Sequence, residues 1–151
     1  MIETSQTFAS ARLLAYSSDA AAAFPEHCAV ALIEAPGVFE VPGAPAHCAG
    51  LIEWADKLVP LIDLKALADG ARAGDGAIAT HALVVAWQRA PGAELQFGAV
   101  YAPALVTALR VSDSQHCEAP DGHALAAIAT TFFESEGRAV PIVDTHRLFG
   151  R

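Results

Sequence analysis

One segment of this chain occurs twice. Lys57-Leu58-Val59-Pro60-Leu61-Ile62-Asp63, with Leu67 four residues on, is matched by Arg138-Ala139-Val140-Pro141-Ile142-Val143-Asp144, with Leu148 four on; every pair is offset by 81 residues. A cation, an apolar run interrupted by proline, an aspartate and a following leucine recurring together mark one structural unit used twice. Repeated units share a core with their copies, so the repeat constrains the architecture more than any other feature.

The chain has 151 residues, about one domain, enough to bury roughly two-thirds of its unfolded surface. Hydrophobic residues make up 54% and charged residues 17%, so this is a core-forming chain and not a disordered one. Much of the apolar content is alanine, which leaves Leu, Ile, Val, seven Phe and two Trp as the large core groups. The formal charge of −8, with no basic run, argues against nucleic acid or an anionic membrane surface as partner. Cys28, Cys48 and Cys117 are odd in number and show no CxxC spacing, so a reduced, cytoplasmic protein without disulfides is expected. The N-terminus shows no secretory signal, and no apolar stretch reaches the length of a membrane span.

Along the chain, residues 1–10 are expected to be flexible and 11–151 to form a single domain of two subdomains, with a boundary near 69–80 in the Gly-rich segment Asp69–Gly76. Arg12–Tyr16 reads as a first strand. In Ala20–Glu34, the alanine run before Pro25 favours helix by propensity, and Cys28–Glu34 reads as a short buried strand. Val41-Pro42-Gly43-Ala44-Pro45 is expected to be extended, because a residue before proline avoids the helical region. Gly50–Trp54 and Leu58–Ile62 form a hairpin turning at Ala55-Asp56-Lys57, followed by a helical turn Leu64–Ala68 that Gly70 ends. Strands follow at Ala82–Trp87, Leu95–Tyr101 and Ala104–Val111, then a polar loop Ser112–Gly122. The second hairpin, Ile128–Phe133 and Ala139–Val143, leads into the helical turn Thr145–Phe149. Many short strands with Gly/Pro turns point to an all-β barrel or sandwich. The repeat makes this two small packed barrels whose common face carries much of the core.

Three constellations bear on chemistry. Asp63 and Asp144 occupy the same place in the two copies, each just before a helical turn, and are assigned as structural caps rather than a catalytic pair. His27-Cys28, His47-Cys48 and His116-Cys117 raise the alternative of a metal-binding β-protein. Neighbours on a strand point to opposite faces, however, so each dipeptide offers one ligand, and no metal site is expected. The loop Ser112–His123 contains Ser, His, Cys and carboxylates, the parts of a hydrolytic site. It lacks any nucleophile-elbow, zinc-protease, phosphate-loop or dinucleotide motif, so no catalytic residue and no cofactor are assigned.

The order Val-Pro-Gly-Ala-Pro at 41–45, Gly50, Lys57 to Leu67 and the closing Gly137–Phe149 resembles the CheW-like domain, the bacterial chemotaxis adaptor fold that also ends the chemotaxis histidine kinase. The resemblance covers about Arg12 to Arg151. It implies a mainly β fold of two packed SH3-like five-stranded barrels with short helices. It also implies a cytoplasmic, non-catalytic adaptor that joins the regulatory domain of a CheA-type histidine kinase to the cytoplasmic tip of chemoreceptors, or serves a type IV pilus-type array. Its interaction residues would be Val41, Pro42, Gly43, Pro45, Gly50, Glu53, Trp54, Ala55, Asp56 and Lys57. The chain departs from the family at the first hairpin, where Glu53-Trp54-Ala55-Asp56 replaces an Asn-Leu-Arg-Gly-like tetrad. Alanine cannot make the directed hydrogen bonds of a guanidinium, which puts receptor docking through position 55 in question and allows a specialised adaptor that binds kinase but not receptor. Trp54 is a candidate aromatic anchor.

Overall fold

The computed structural model describes residues 8–73, 81–103 and 106–150. In chain order the strands are β1 (Phe8–Ala15), β2 (Ala21–Pro25), β3 (Ala29–Glu34), β4 (Val38–Phe39), β5 (Cys48–Trp54) and β6 (Lys57–Ile62), then helix α1 (Leu64–Asp69). There follow β7 (His81–Trp87), β8 (Gln96–Ala102), β9 (Thr107–Ser112), β10 (His116–Cys117), β11 (Ala129–Ser135), β12 (Arg138–Val143) and helix α2 (Thr145–Phe149).

They form two six-stranded sheets, β10-β11-β12-β2-β1-β9 and β4-β5-β6-β8-β7-β3. Each has five full strands and one two-residue edge strand, as the mainly β, two-subdomain expectation requires. We call them the outer and central subdomains. The chain passes from one to the other between β2 and β3 and back between β8 and β9, so the boundary expected near 69–80 is corrected: β6, α1 and β7 on either side of it belong to the central subdomain. Residues 74–80, most of the expected linker, and 1–7 of the expected flexible N-terminus lie outside the described residues. Residues 8–10 are already strand, paired with β9.

The repeat is reproduced atom for atom in places. Asp63 accepts hydrogen bonds from the Lys65 and Ala66 amides at 3.0 and 3.3 Å, and Asp144 from those of His146 and Arg147 at 3.0 and 3.3 Å. Both are N-caps. Register shifts between Cys48 and Gly50 and between Ala129 and Thr131 put the same bulge in β5 and β11. The parallel pairs β6–β8 and β12–β2 also correspond.

Three layers of core follow from strand alternation. In β7, Ala82 and Val84 face a small core with Ile52, Val59, Leu61 and Ala99 inside the central sheet. Leu83 and Val85 face a larger core shared with Leu14, Phe24, Leu125, Ile128, Val143 and Leu148 of the outer subdomain. Ala11, Ala23, Val111, Phe133 and Val140 fill the third, inside the outer sheet.

Several local expectations are corrected. From Ala21 the alanine run is strand β2 (Ala21–Pro25), not helix, because it lies between β1 and β12 with Ala22, Ala23 and Phe24 all 0% exposed. Burial on both faces and ladder pairing outweigh a helix preference of a few tenths of a kcal/mol per residue. The 41–45 loop is not extended: the Ala44 amide donates to the Val41 carbonyl at 3.3 Å, with Gly43 at φ 80°, a turn with Pro-Gly at its centre. The loop expected at 112–122 also contains a one-turn 3₁₀ helix and β10. Of the strand expected over Ala104–Val111, β9 begins at Thr107, and residues 104–105 lie outside the described residues.

α2 ties the subdomains together. Thr145 Oγ1 donates to the Ala86 carbonyl at 3.0 Å and His146 Nδ1 to that of Gln88 at 2.7 Å. Phe149 stacks near Trp87, with centroids 6.5 Å apart and planes at 15°, and its ring occupies the space where a Cβ on Gly98 would stand. Gly98→Ala is expected to lower stability by about 1–3 kcal/mol, and Phe149→Leu in that background to restore part of it, measured by chemical denaturation. At the first hairpin Ala55 and Asp56 both adopt positive φ (49° and 62°), where the second copy uses Glu136 and Gly137. Asp56→Gly is therefore expected to raise stability by about 0.5–1 kcal/mol, read from the same denaturation midpoint.

Candidate protein-interaction surface

Strand β3 sits at one edge of the central sheet, hydrogen-bonded to β7 alone. Its alternation places Ala31 and Ile33 against the central core and turns Val30, Leu32 and Glu34 outward. Val30 is 42% and Leu32 44% exposed. At the opposite edge β4 exposes Val38 and Phe39, and the chain runs on through exposed Val41. Leu58 on β6 stands opposite Glu53 in the register and is exposed as well. Of the eight large apolar side chains exposed among the described residues, only Phe8 belongs to the outer subdomain. The exposed apolar side chains of the central subdomain thus fall on both edges of its sheet and on the segments beside them.

The residues expected from sequence divide between surface and support. Val41, Pro42, Gly43 and Pro45 are exposed along the turns that follow β4, and Glu53, Ala55, Asp56 and Lys57 are exposed around the first hairpin. Gly50 is buried: at φ 143° its missing Cβ makes room for the Phe39 carbonyl, so its role is to let β4 close on β5. Trp54 is half-buried and covers the central core, its ring 4.9 Å from that of Phe97, over which Lys57 Nζ sits at 5.2 Å. It supports the hairpin before it offers anything to a partner. Sequence reading missed Val30, Leu32, Phe39 and Leu58. Every position from Cys28 to Ile33 is apolar or alanine, so nothing in the pattern told the outward face of β3 from the inward one.

The constellations considered for chemistry are dispersed. Among the described residues, no group of three or more His, Cys, Asp or Glu side chains gathers as metal ligands would. Cys48 donates to the Gly50 carbonyl at 3.4 Å. Burial pushes the Cys28 thiol above its ordinary range; a hydrogen bond with Thr145 opposes this and the nearby Asp144 charge adds to it. In the 112–123 loop, the Ser112 amide donates to Gln115 Oε1 at 2.9 Å as one arm of a capping box, and Ser112 Oγ also lies 2.7 Å from Ser114 Oγ. His123 Nδ1 accepts from the Leu125 amide at 3.1 Å, with its ring edge-on to Phe132.

The family model of the CheW-like domain matches residues 13–151. The chain belongs to the CheW-like domain family. Among solved structures, the scaffolding protein TtCheW from Thermoanaerobacter tengcongensis superposes with a TM-score of 0.72 at 13% identity, over 99% of this chain and 92% of that one. No curated protein matches by sequence. As a CheW-like protein, the chain is of the scaffold type found in chemotaxis signalling. Among the described residues, no helix is long and apolar enough to cross a membrane.

Burial pulls His123 below the ordinary value of 6.5. A histidine lowered in the folded state holds fewer protons than the unfolded chain between its folded value and 6.5, so its stabilising contribution is complete above 6.5 and is lost as pH falls through that window. Proton NMR titration is expected to place the His123 midpoint below 6.5, and denaturation at falling pH to show a loss of stability that His123→Phe removes.

Proposed function

We propose that this CheW-like protein is a non-catalytic, cytoplasmic adaptor that couples a CheA-type histidine kinase to chemoreceptors or to a type IV pilus-type chemosensory array. The observation that carries this reading is the concentration of exposed apolar side chains on β3, β4 and the following turn of the central subdomain. An edge strand with outward valine and leucine offers both unpaired backbone groups and apolar contact to another small β-barrel, and the kinase regulatory domain is of the same fold in the family resemblance. Coupling then consists of binding alone: two partners held on one rigid scaffold influence each other through contacts that differ between signalling states.

A second reading, a specialised adaptor that binds kinase but not receptor, is favoured by one specific feature. Ala55 stands at the exposed tip of the first hairpin in place of the family's arginine, so a receptor contact that needs bidentate hydrogen bonds has no donor there. The interaction residues Val41, Pro42, Gly43, Pro45, Glu53, Asp56 and Lys57 belong to the same proposal, surrounding that tip and the β4 edge.

Co-purification with a CheA-type regulatory domain, and separately with a receptor-tip fragment, tests both. Kinase capture is expected. Leu32→Asp should weaken it by at least about tenfold, the scale of one central apolar contact, while leaving stability within about 0.5 kcal/mol because the side chain is exposed. Ala55→Arg is expected to strengthen receptor capture. Capture of neither partner defeats the adaptor reading, and an unchanged receptor affinity in Ala55→Arg defeats the specialised one.

A further inference from the structure

The two copies of the repeat differ in shape at one barrel end. In the central subdomain, Trp54 and Phe97 close the end beside the β5–β6 hairpin, with Lys57 over the Phe97 ring. The strand registers identify the matching positions in the outer subdomain. Trp54 pairs with Lys57 as Ser135 pairs with Arg138. Leu61 faces Ala99 in β6–β8 as Ile142 faces Ala23 in β12–β2, so Phe97, two residues before Ala99, corresponds to Ala21. Both rings are gone and the cation remains. The space is a groove of about 280 Å³ bordered by Leu13, Tyr16, Ala21, Ser135, Arg138 and Val140.

The geometry points to this groove as a receptor for an aromatic side chain of a partner protein, carried beside a basic residue. Its walls are those that an aromatic pair fills in the copy, and Leu13 and Val140 supply apolar contact from the outer core. Arg138 is exposed, makes no ion pair among the described residues and stands where the copy holds a cation over a ring. Asp19 and Glu136 also line the groove, so its carboxylates outnumber its one arginine and complement a cation next to the incoming ring. The site lies on the outer subdomain, apart from the apolar strands of the central one, and does not depend on the identity of the partner captured there.

Chemical-shift titration of the full ¹⁵N-labelled chain with acetyl-Lys-Trp-Lys amide tests the assignment without kinase or receptor. Saturable shifts are expected at Ala21, Ser135 and Ala139, with much smaller ones from the alanine peptide acetyl-Lys-Ala-Lys amide and weaker binding of acetyl-Glu-Trp-Glu amide. Arg138→Ala, a surface change, should weaken binding about threefold. The double variant Ala21→Phe/Ser135→Trp rebuilds the copy's aromatic pair and should abolish it. The assignment is overturned by the absence of saturable shifts, by equal binding of the alanine or the acidic peptide, by undiminished affinity in Arg138→Ala, or by binding that persists in a folded double variant.

Discussion

The apolar layer between the two sheets holds the molecule together. Each subdomain's own core is small: six buried side chains in the central one and five in the outer, four of the six and four of the five being alanine or valine. Neither has the large residues that a free-standing barrel of this size needs. The shared layer contains Leu14, Phe24, Leu64, Leu125, Ile128 and Leu148, all essentially buried, and draws on β2, β7 and β8 from both sheets at once. Strands buried on both faces result, which is why β2 and β7 tolerate almost no polar side chain. The clasp of α2, with Phe149 in the space left by Gly98, extends that layer to the C-terminus.

Sharing a core in this way permits the exchange of strands. The outer sheet takes its strands from both ends of the chain and the central sheet from its middle, so the outer subdomain repeats the central one with its chain order rotated. Non-local pairing of this kind is slow to form. It also packs the two barrels against one shared core.

Near-symmetry leaves function to the places where the copies diverge. The central copy carries exposed apolar edges, an Ala55-Asp56 tip and a filled barrel end. The outer copy has a Glu136-Gly137 tip and an open barrel end. A duplicated unit whose copies keep caps, bulges and parallel pairings but differ in surface aromatics can present two different faces on one frame.

The sequence by itself determined the repeat, the two hairpins, both aspartate caps, the terminal helical turns and the family. These are local matters: a proline-interrupted apolar run, an aspartate before a helical turn and a glycine after it act within a few residues. Tertiary structure alone decided that Ala21–Pro25 is a strand, that the chain crosses between subdomains after β2 and again after β8, that Val30 and Leu32 face outward, and that Ser135 and Ala21 border a groove. Each of those depends on which distant strand lies alongside. Periodicity reports that a side chain is apolar, but its burial is set by neighbours that can be far away in the chain, as Ile142 is from Ala23.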